Sequence, residues 1–347
     1  MDYRWDDAVA KELKDDLDLL VYVSRLLGED PYLAQSGGGN TSLKRIEKDL
    51  AGRDVNTLWV KVIHTSLQDI DRSGFTAIRL DEARLTFQSP AATDEELVAF
   101  LSSCRLDPRM GPPTIETPIH LIVPAPWVLH THDAAIQALT ETPRKDTFVR
   151  EAFGDEVAFV GYARPGVPLD KAIQGVNLGK AKGIVLAKHG LVAWGDTAKE
   201  SYDNLHGLIT RAETYLKSKG NGKDPLARRR HPAVEPAARA AAQRRILPHL
   251  RGLLSRSRRV VLDVDNSYDA LRFVDSELAK QIHRRGMAAP EHILRCGREP
   301  MYIDADLSSK SEAEAVSILR AAVELFEKDY RASFAKHGKG TEMLGPG

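Results

Sequence analysis

Cysteine is nearly absent: 347 residues contain only Cys104 and Cys296. They lie far apart, with neither metal-binding nor redox spacing, which excludes a disulfide scaffold or a Cys-rich zinc site as the organising feature. A reducing cytoplasm with two inert thiols is the expectation. An excess of charge is missing as well, with 49 Lys and Arg against 49 Asp and Glu. Nothing in that balance calls for nucleic acid or an anionic membrane as partner. Long apolar runs are lacking: the stretch from Ile119 to Leu129 is broken by His120, Pro124 and Pro126, and is too short to span a bilayer. The start, Met1-Asp2-Tyr3-Arg4-Trp5-Asp6-Asp7, has neither the basic opening nor the apolar core of a signal peptide. No Walker A loop and no glycine-rich dinucleotide fingerprint occur, and no repeats are visible.

What is present has the make-up of a soluble globular protein, with 42% apolar residues and length enough for one large domain or two ordinary ones. Its expected strands and helices alternate, which places it in the mixed α/β class. Apolar positions from Asp7 to Leu27 recur at helical spacing and predict one opening helix, with Gly28 as its stop. Ser36 to Lys44 is glycine-rich at its start and reads as a loop. Strands are expected at 58–63, 76–80 and 157–160, and at 128–132, with helices from Asp94 to Cys104, from Ala134 and from Pro168 to Asn177. Gly183 to Gly195 reads as two short strands hinged at His189-Gly190, followed by a helix from Thr197 to about Lys217. Composition changes at Ser218 to Pro225, a linker by its Gly, Asn and Pro content. Arginines then dominate from Arg228 to Arg259 without interleaving aromatics, a poor surface for single-stranded nucleic acid. A solvated helix face, or an anion or subunit contact, fits them better. Strands at 260–264 and 301–303, a helix from Lys310 to Tyr330 and a mobile tail over 337–347 complete the reading. Three parts result: 1–220, a smaller α/β appendage over 221–336, and the tail.

The chemistry gathers at Val128-Leu129-His130-Thr131-His132-Asp133. In a strand, residues i and i+2 share a face, so both imidazoles project together. Two convergent imidazoles make two thirds of a catalytic zinc site with three protein ligands. Alone, such a pair is more often solvent-facing. Three further pieces change its weight. His189 precedes Gly190, which would let the backbone turn tightly and aim the ring. Glu116 lies upstream between Pro113 and Pro118 and could serve a metal at rest and carry a proton in turnover. The Gly37-Gly38-Gly39-Asn40-Thr41 run offers backbone N–H groups and polar side chains to an oxyanion. Each is weak alone.

In this order they resemble the class II aldolase/adducin family, over about Ala8 to Leu216. The resemblance rests on Ser36 to Ser42, on Ile115-Glu116 with His120, on Val128 to His132 with Ala138-Leu139, and on Ile184 to Gly190 with Gly195. The wording of Gln35 to Lys44 and Lys188 to Ala198 is most similar to the aldolase half of bacterial proteins that join a rhamnulose-1-phosphate aldolase-like domain to a short-chain dehydrogenase. The stretch from about Leu247 to Tyr330, with Pro290 to Arg295, resembles their connecting region. With no dinucleotide fingerprint, dehydrogenase activity is not expected.

The resemblance implies a three-layer α/β/α sandwich around a mainly antiparallel sheet, and a homo-oligomer, commonly a tetramer. It implies a zinc ion, or another divalent metal, on His130, His132 and His189, with Glu116 as resting ligand or acid/base. Gly39, Asn40 and Thr114 would hold substrate. The implied reaction is reversible retro-aldol cleavage of a ketose 1-phosphate, or a related hydroxy-ketone, to dihydroxyacetone phosphate and an aldehyde. Epimerase or dehydratase chemistry, an unphosphorylated substrate and a non-catalytic adducin-like role are the alternatives. The sequence departs from the pattern at Lys61-Val62-Ile63-His64, where a glycine turn normally helps hold phosphate. Bulky side chains do not readily take φ > 0. The metal site is therefore better supported than the phosphate site.

Overall fold

In the computed structural model, which describes every residue except 36, 89–92, 221, 257, 339–342 and 344–347 and omits the side chains of 294–296, the short apolar runs pair into a seven-stranded sheet. Its strands are β1 (Asn40–Lys48), β2 (Asp54–Lys61), β3 (Phe75–Arg79), β4 (Trp127–Thr131), β5 (Val157–Val160), β6 (Gly183–Leu186) and β7 (Gly190–Gly195). Their order is β3-β2-β1-β4-β7-β6-β5. All neighbours run antiparallel except β5 and β6. β4 is thus the central strand, and all its residues are buried. It places His130 opposite Asn40 of β1 and Val192 of β7.

The helices around this sheet are α1 (Asp7–Lys11), α2 (Asp16–Gly28), α3 (Leu80–Ala83), α4 (Asp94–Ser103), α5 (Thr117–Ile122), α6 (Ala134–Thr140), α7 (Lys145–Phe153), α8 (Val167–Ile173) and α9 (Ala198–Lys219). Strand alternation sorts them into two layers. Leu43, Trp127, Leu129 and Leu191 pack against α2, α6, α7 and α9. Val128, Ile184 and Val192 face the other way, onto Ile119 of α5 and Leu169 and Ile173 of α8, while Leu58 and Val60 meet α3 and α4. This is the expected α/β/α sandwich.

The first unit of the chain is Met1–Gly222 with Ala288–Arg295; the second is Lys223–Met287 with Cys296–Gly347. The second unit holds α10 (Pro236–Leu254), α11 (Tyr268–Val274) and α12 (Glu277–Ile282). Next in the chain comes α13 (Pro290–Cys296), which belongs to the first unit up to Arg295, and then α14 (Glu312–His337) in the second. Ile246 and Leu253 of α10 pack on Ala315, Leu319 and Val323 of α14. No helix among the described residues is long and apolar enough to cross a membrane.

Several elements differ from the sequence reading. The single opening helix is two, because Asp15 caps a fresh start by accepting from the N–H groups of Leu17 and Asp18. Ser36 to Lys44 is not all loop: β1 begins at Asn40. The runs at 260–264 and 301–303 form no strand. Their valines and isoleucine have the right propensity but no partner strand, and propensity alone does not make a sheet. The second unit is therefore helical rather than α/β. Among its arginines, Arg245 donates to the carbonyls of Lys310 and Leu307, and Arg230 pairs with Asp304 and Glu277. These two arginines thus have local work. Apart from His337, Gly338 and Met343, the tail lies outside the described residues, as does the side chain of Cys296.

Candidate metal centre

β4 delivers the first imidazole. His130 is fully buried on the face shared with Val128, and its Nδ1 donates across the strand pair to the Leu191 carbonyl at 3.0 Å. Its Nε2 is then the unprotonated atom. His132 follows one residue beyond the strand end, and its Nε2 lies 3.1 Å from that of His130. His189 sits in the turn between β6 and β7, 2.8 Å from His132, Nε2 to Nε2. The turn works differently from the sequence reading. Lys188 takes the left-handed conformation, φ 59°, and Gly190 is needed for close approach instead, since a Cβ there would collide with the backbone of Thr131.

Glu116 completes the group from the N-terminal end of α5. One carboxylate oxygen is 2.9 Å from His189 Nε2; the other is 3.6 Å from His130 Nε2 and 3.9 Å from His132 Nε2. All four residues are buried, and one ligand atom from each falls within a 4.8 Å spread. Ligand atoms about 2.0–2.2 Å from a tetrahedral zinc ion lie roughly 3.3–3.6 Å apart, close to this spacing. The donor chemistry points the same way. With their Nδ1 protons given to Leu191 and to Glu291, His130 and His132 turn two lone pairs toward each other. Such an arrangement calls for a cation between them, a metal ion or a proton; against burial, the carboxylates of Glu291 and Glu116 raise His132 above its ordinary value. The set fits a divalent ion.

Burial pushes His130 down to about 3, so it is a neutral donor at neutral pH. For Glu116, burial alone would raise the carboxyl, but the imidazoles of His189 and His130 outweigh it and hold it well below the usual carboxylate range. An array of hydrogen bonds supports that carboxylate. Asn40 Nδ2 donates to Glu116 Oε2 at 2.7 Å, while Asn40 Oδ1 accepts from His120 Nε2 at 2.5 Å. The Ser42 hydroxyl then donates to His120 Nδ1 at 2.7 Å. Burial, with His130 and Lys44 nearby, keeps His120 well below its ordinary value and hence neutral, as this pattern requires.

The residues read from the sequence fall as follows. Glu116, His130, His132 and His189 converge. Asn40 adjoins them through Glu116, with both ends of its amide engaged. Gly39 adopts φ 68°, with the His130 carbonyl where a side chain would stand. Thr114 is buried, its hydroxyl accepting from the Glu116 N–H at 3.4 Å. His64 takes φ 66° despite its bulk, against the expectation for that stretch, and Val62 pairs with Pro113. Sequence reasoning assigned no role to Ser42, His120 or Glu291. His120 carried a signal, standing alone in an apolar run; Glu291 carried none that tied it to a residue 159 positions away.

Comparison with known proteins bears on the same residues. Residues 18–216 match the family model of the class II aldolase and adducin N-terminal domain, and residues 241–346 match that of the class II aldolase second domain. The chain is 32% identical over 342 residues to YuxG of Bacillus subtilis (strain 168), described as an uncharacterized oxidoreductase; the match covers 98% of this chain and 50% of that protein. The chain thus spans about half the length of that relative. The N-terminal class II aldolase domain of a conserved protein from Thermoplasma acidophilum is 38% identical, over 62% of this chain and 99% of that one, with a TM-score of 0.58. With a matching family model, a related solved fold and a Glu and three His positioned to hold a metal ion, the chain belongs to the class II aldolase and adducin family.

Proposed function

We propose that the chain is a metal-dependent aldolase-type lyase that reversibly cleaves a ketose 1-phosphate or related hydroxy-ketone to dihydroxyacetone phosphate and an aldehyde. The observation that carries this reading is the buried convergence of Glu116, His130, His132 and His189. These residues would hold zinc or another divalent ion. When bound, the ion supplies Lewis-acid charge to the carbonyl and hydroxyl oxygens of the substrate. The rest falls to side chains. Breaking the carbon–carbon bond turns the neighbouring hydroxyl into the aldehyde with loss of its proton and leaves an electron pair on the carbon beside the carbonyl. Glu116 carries a proton to that carbon, so one proton leaves oxygen and one arrives at carbon. Asn40, anchored by His120 and Ser42, keeps the carboxylate aimed. Gly39, Asn40 and Thr114 are the substrate contacts in this reading, and a small molecule in the cytoplasm, handled by a homo-oligomer, is the setting.

A second reading keeps the reaction and removes the phosphate. It is favoured by Val62-Ile63-His64 in place of a glycine turn and by the Glu291 carboxylate lying against Gly38, where an anion would otherwise be received. A cleavage assay on ketose 1-phosphates beside unphosphorylated ketoses separates the two. In either case Glu116→Gln should retain metal and lose about 10²–10⁴-fold in turnover. Full turnover in that variant would refute the acid/base role.

A further inference from the structure

We propose that Glu291 is a positioning residue for His132: its carboxylate takes the Nδ1 proton and so turns Nε2 toward Glu116, His130 and His189. The inference rests on the metal-site reading above. Glu291 stands in the first turn of α13, which opens at Pro290. Its Oε1 meets His132 Nδ1, on the side of the ring away from the cluster. It is thus a partner of a ligand rather than a fifth ligand. Both side chains are buried, His132 8% and Glu291 5% exposed.

Two observations set this contact apart from incidental packing. Gly38 adjoins the carboxylate so closely that a Cβ there would overlap it, so the glycine-rich loop is shaped to admit the acid. Moreover, Glu291 Oε2 is buried without a hydrogen-bond partner among the described residues. A buried, half-satisfied carboxylate costs stability and is kept where it serves another purpose. The three imidazoles are also treated differently. His130 donates to a neutral carbonyl, and His189 Nδ1 has no partner among the described residues. Only His132, of the three, has a carboxylate acceptor at Nδ1, the side away from the cluster, and such an acceptor orients a ligating ring and raises its donor strength.

The test is metal affinity of the full chain, stripped of metal and titrated with Zn²⁺ or Co²⁺ against a chelating chromophore. Glu291→Ala should bind about 10–100-fold more weakly than the parent. Glu291→Gln, whose amide oxygen can still accept from Nδ1, should fall between them. Gly38→Ala, which displaces the acid without removing it, should also weaken binding. A merely structural role would lower the melting temperature of metal-free Glu291→Ala while leaving the metal affinity of the folded variant at the parental value. Parental affinity in both Glu291 variants overturns this inference alone, whereas a parent chain that binds no divalent ion overturns the metal reading with it.

Discussion

Asp170 illustrates what burial does to a carboxyl near the candidate site. It lies in α8, 6% exposed, and burial together with the charges of Asp94 and Glu116 pushes it up to about 8. Unfolded, it returns to the ordinary value near 4. Between those two values the folded chain binds a proton that the unfolded chain has lost. Its contribution is therefore full below about pH 4 and is lost as pH rises toward 8. Asp170→Asn should remove that dependence. Its gain over the parent should be near zero at pH 4 and grow to several kcal/mol by pH 8, on the order of ten degrees in melting temperature. Thermal melts from pH 5 to 8 check this; a pH-independent offset would contradict it. Asp170 drew no attention in the sequence because an acid's environment is set by which helix packs over it. The His-x-His pair was legible for the opposite reason: its spacing fixes its geometry within one strand. His120 and Glu291 depend on pairings that no local pattern announces.

Among the elements, the approach of β4 and β7 decides whether the imidazoles meet. Their register sets His130 beside Val192 and Thr131 beside Leu191, and Gly190 lets the two backbones close at the strand ends. Gly190→Ala would force backbone against backbone, so the strands must part. The expected cost is about 3 kcal/mol, at the upper end for overpacking, with a fall of roughly 6–12 °C in melting temperature and loss of metal binding. A variant that melts and binds as the parent does would show that the strands part without cost. Capped helices such as α4 and α9 could be read from Thr93 and Thr197. The break before α2 could not, since the apolar spacing runs through it and only the Asp15 cap marks it. At 260–264 the strand-like residues misled, because a strand exists only where another accepts its hydrogen bonds.

At the scale of the molecule, the α/β/α body brings together residues from four places in the chain: the end of β4, the turn before β7, the start of α5 and the first turn of α13. Charge is balanced over the chain, 49 against 49, so net charge supplies no overall attraction for an anion. Recognition then falls to the local site, and the central claim is that this site holds a metal. The most direct measurement is the metal content of the full chain after loading with zinc, cobalt or manganese and exhaustive exchange. About one divalent ion per chain is expected, and less than about a tenth of that in His132→Ala and His189→Ala. A chain that retains none of the three metals, or whose histidine variants retain as much as the parent, would contradict the account.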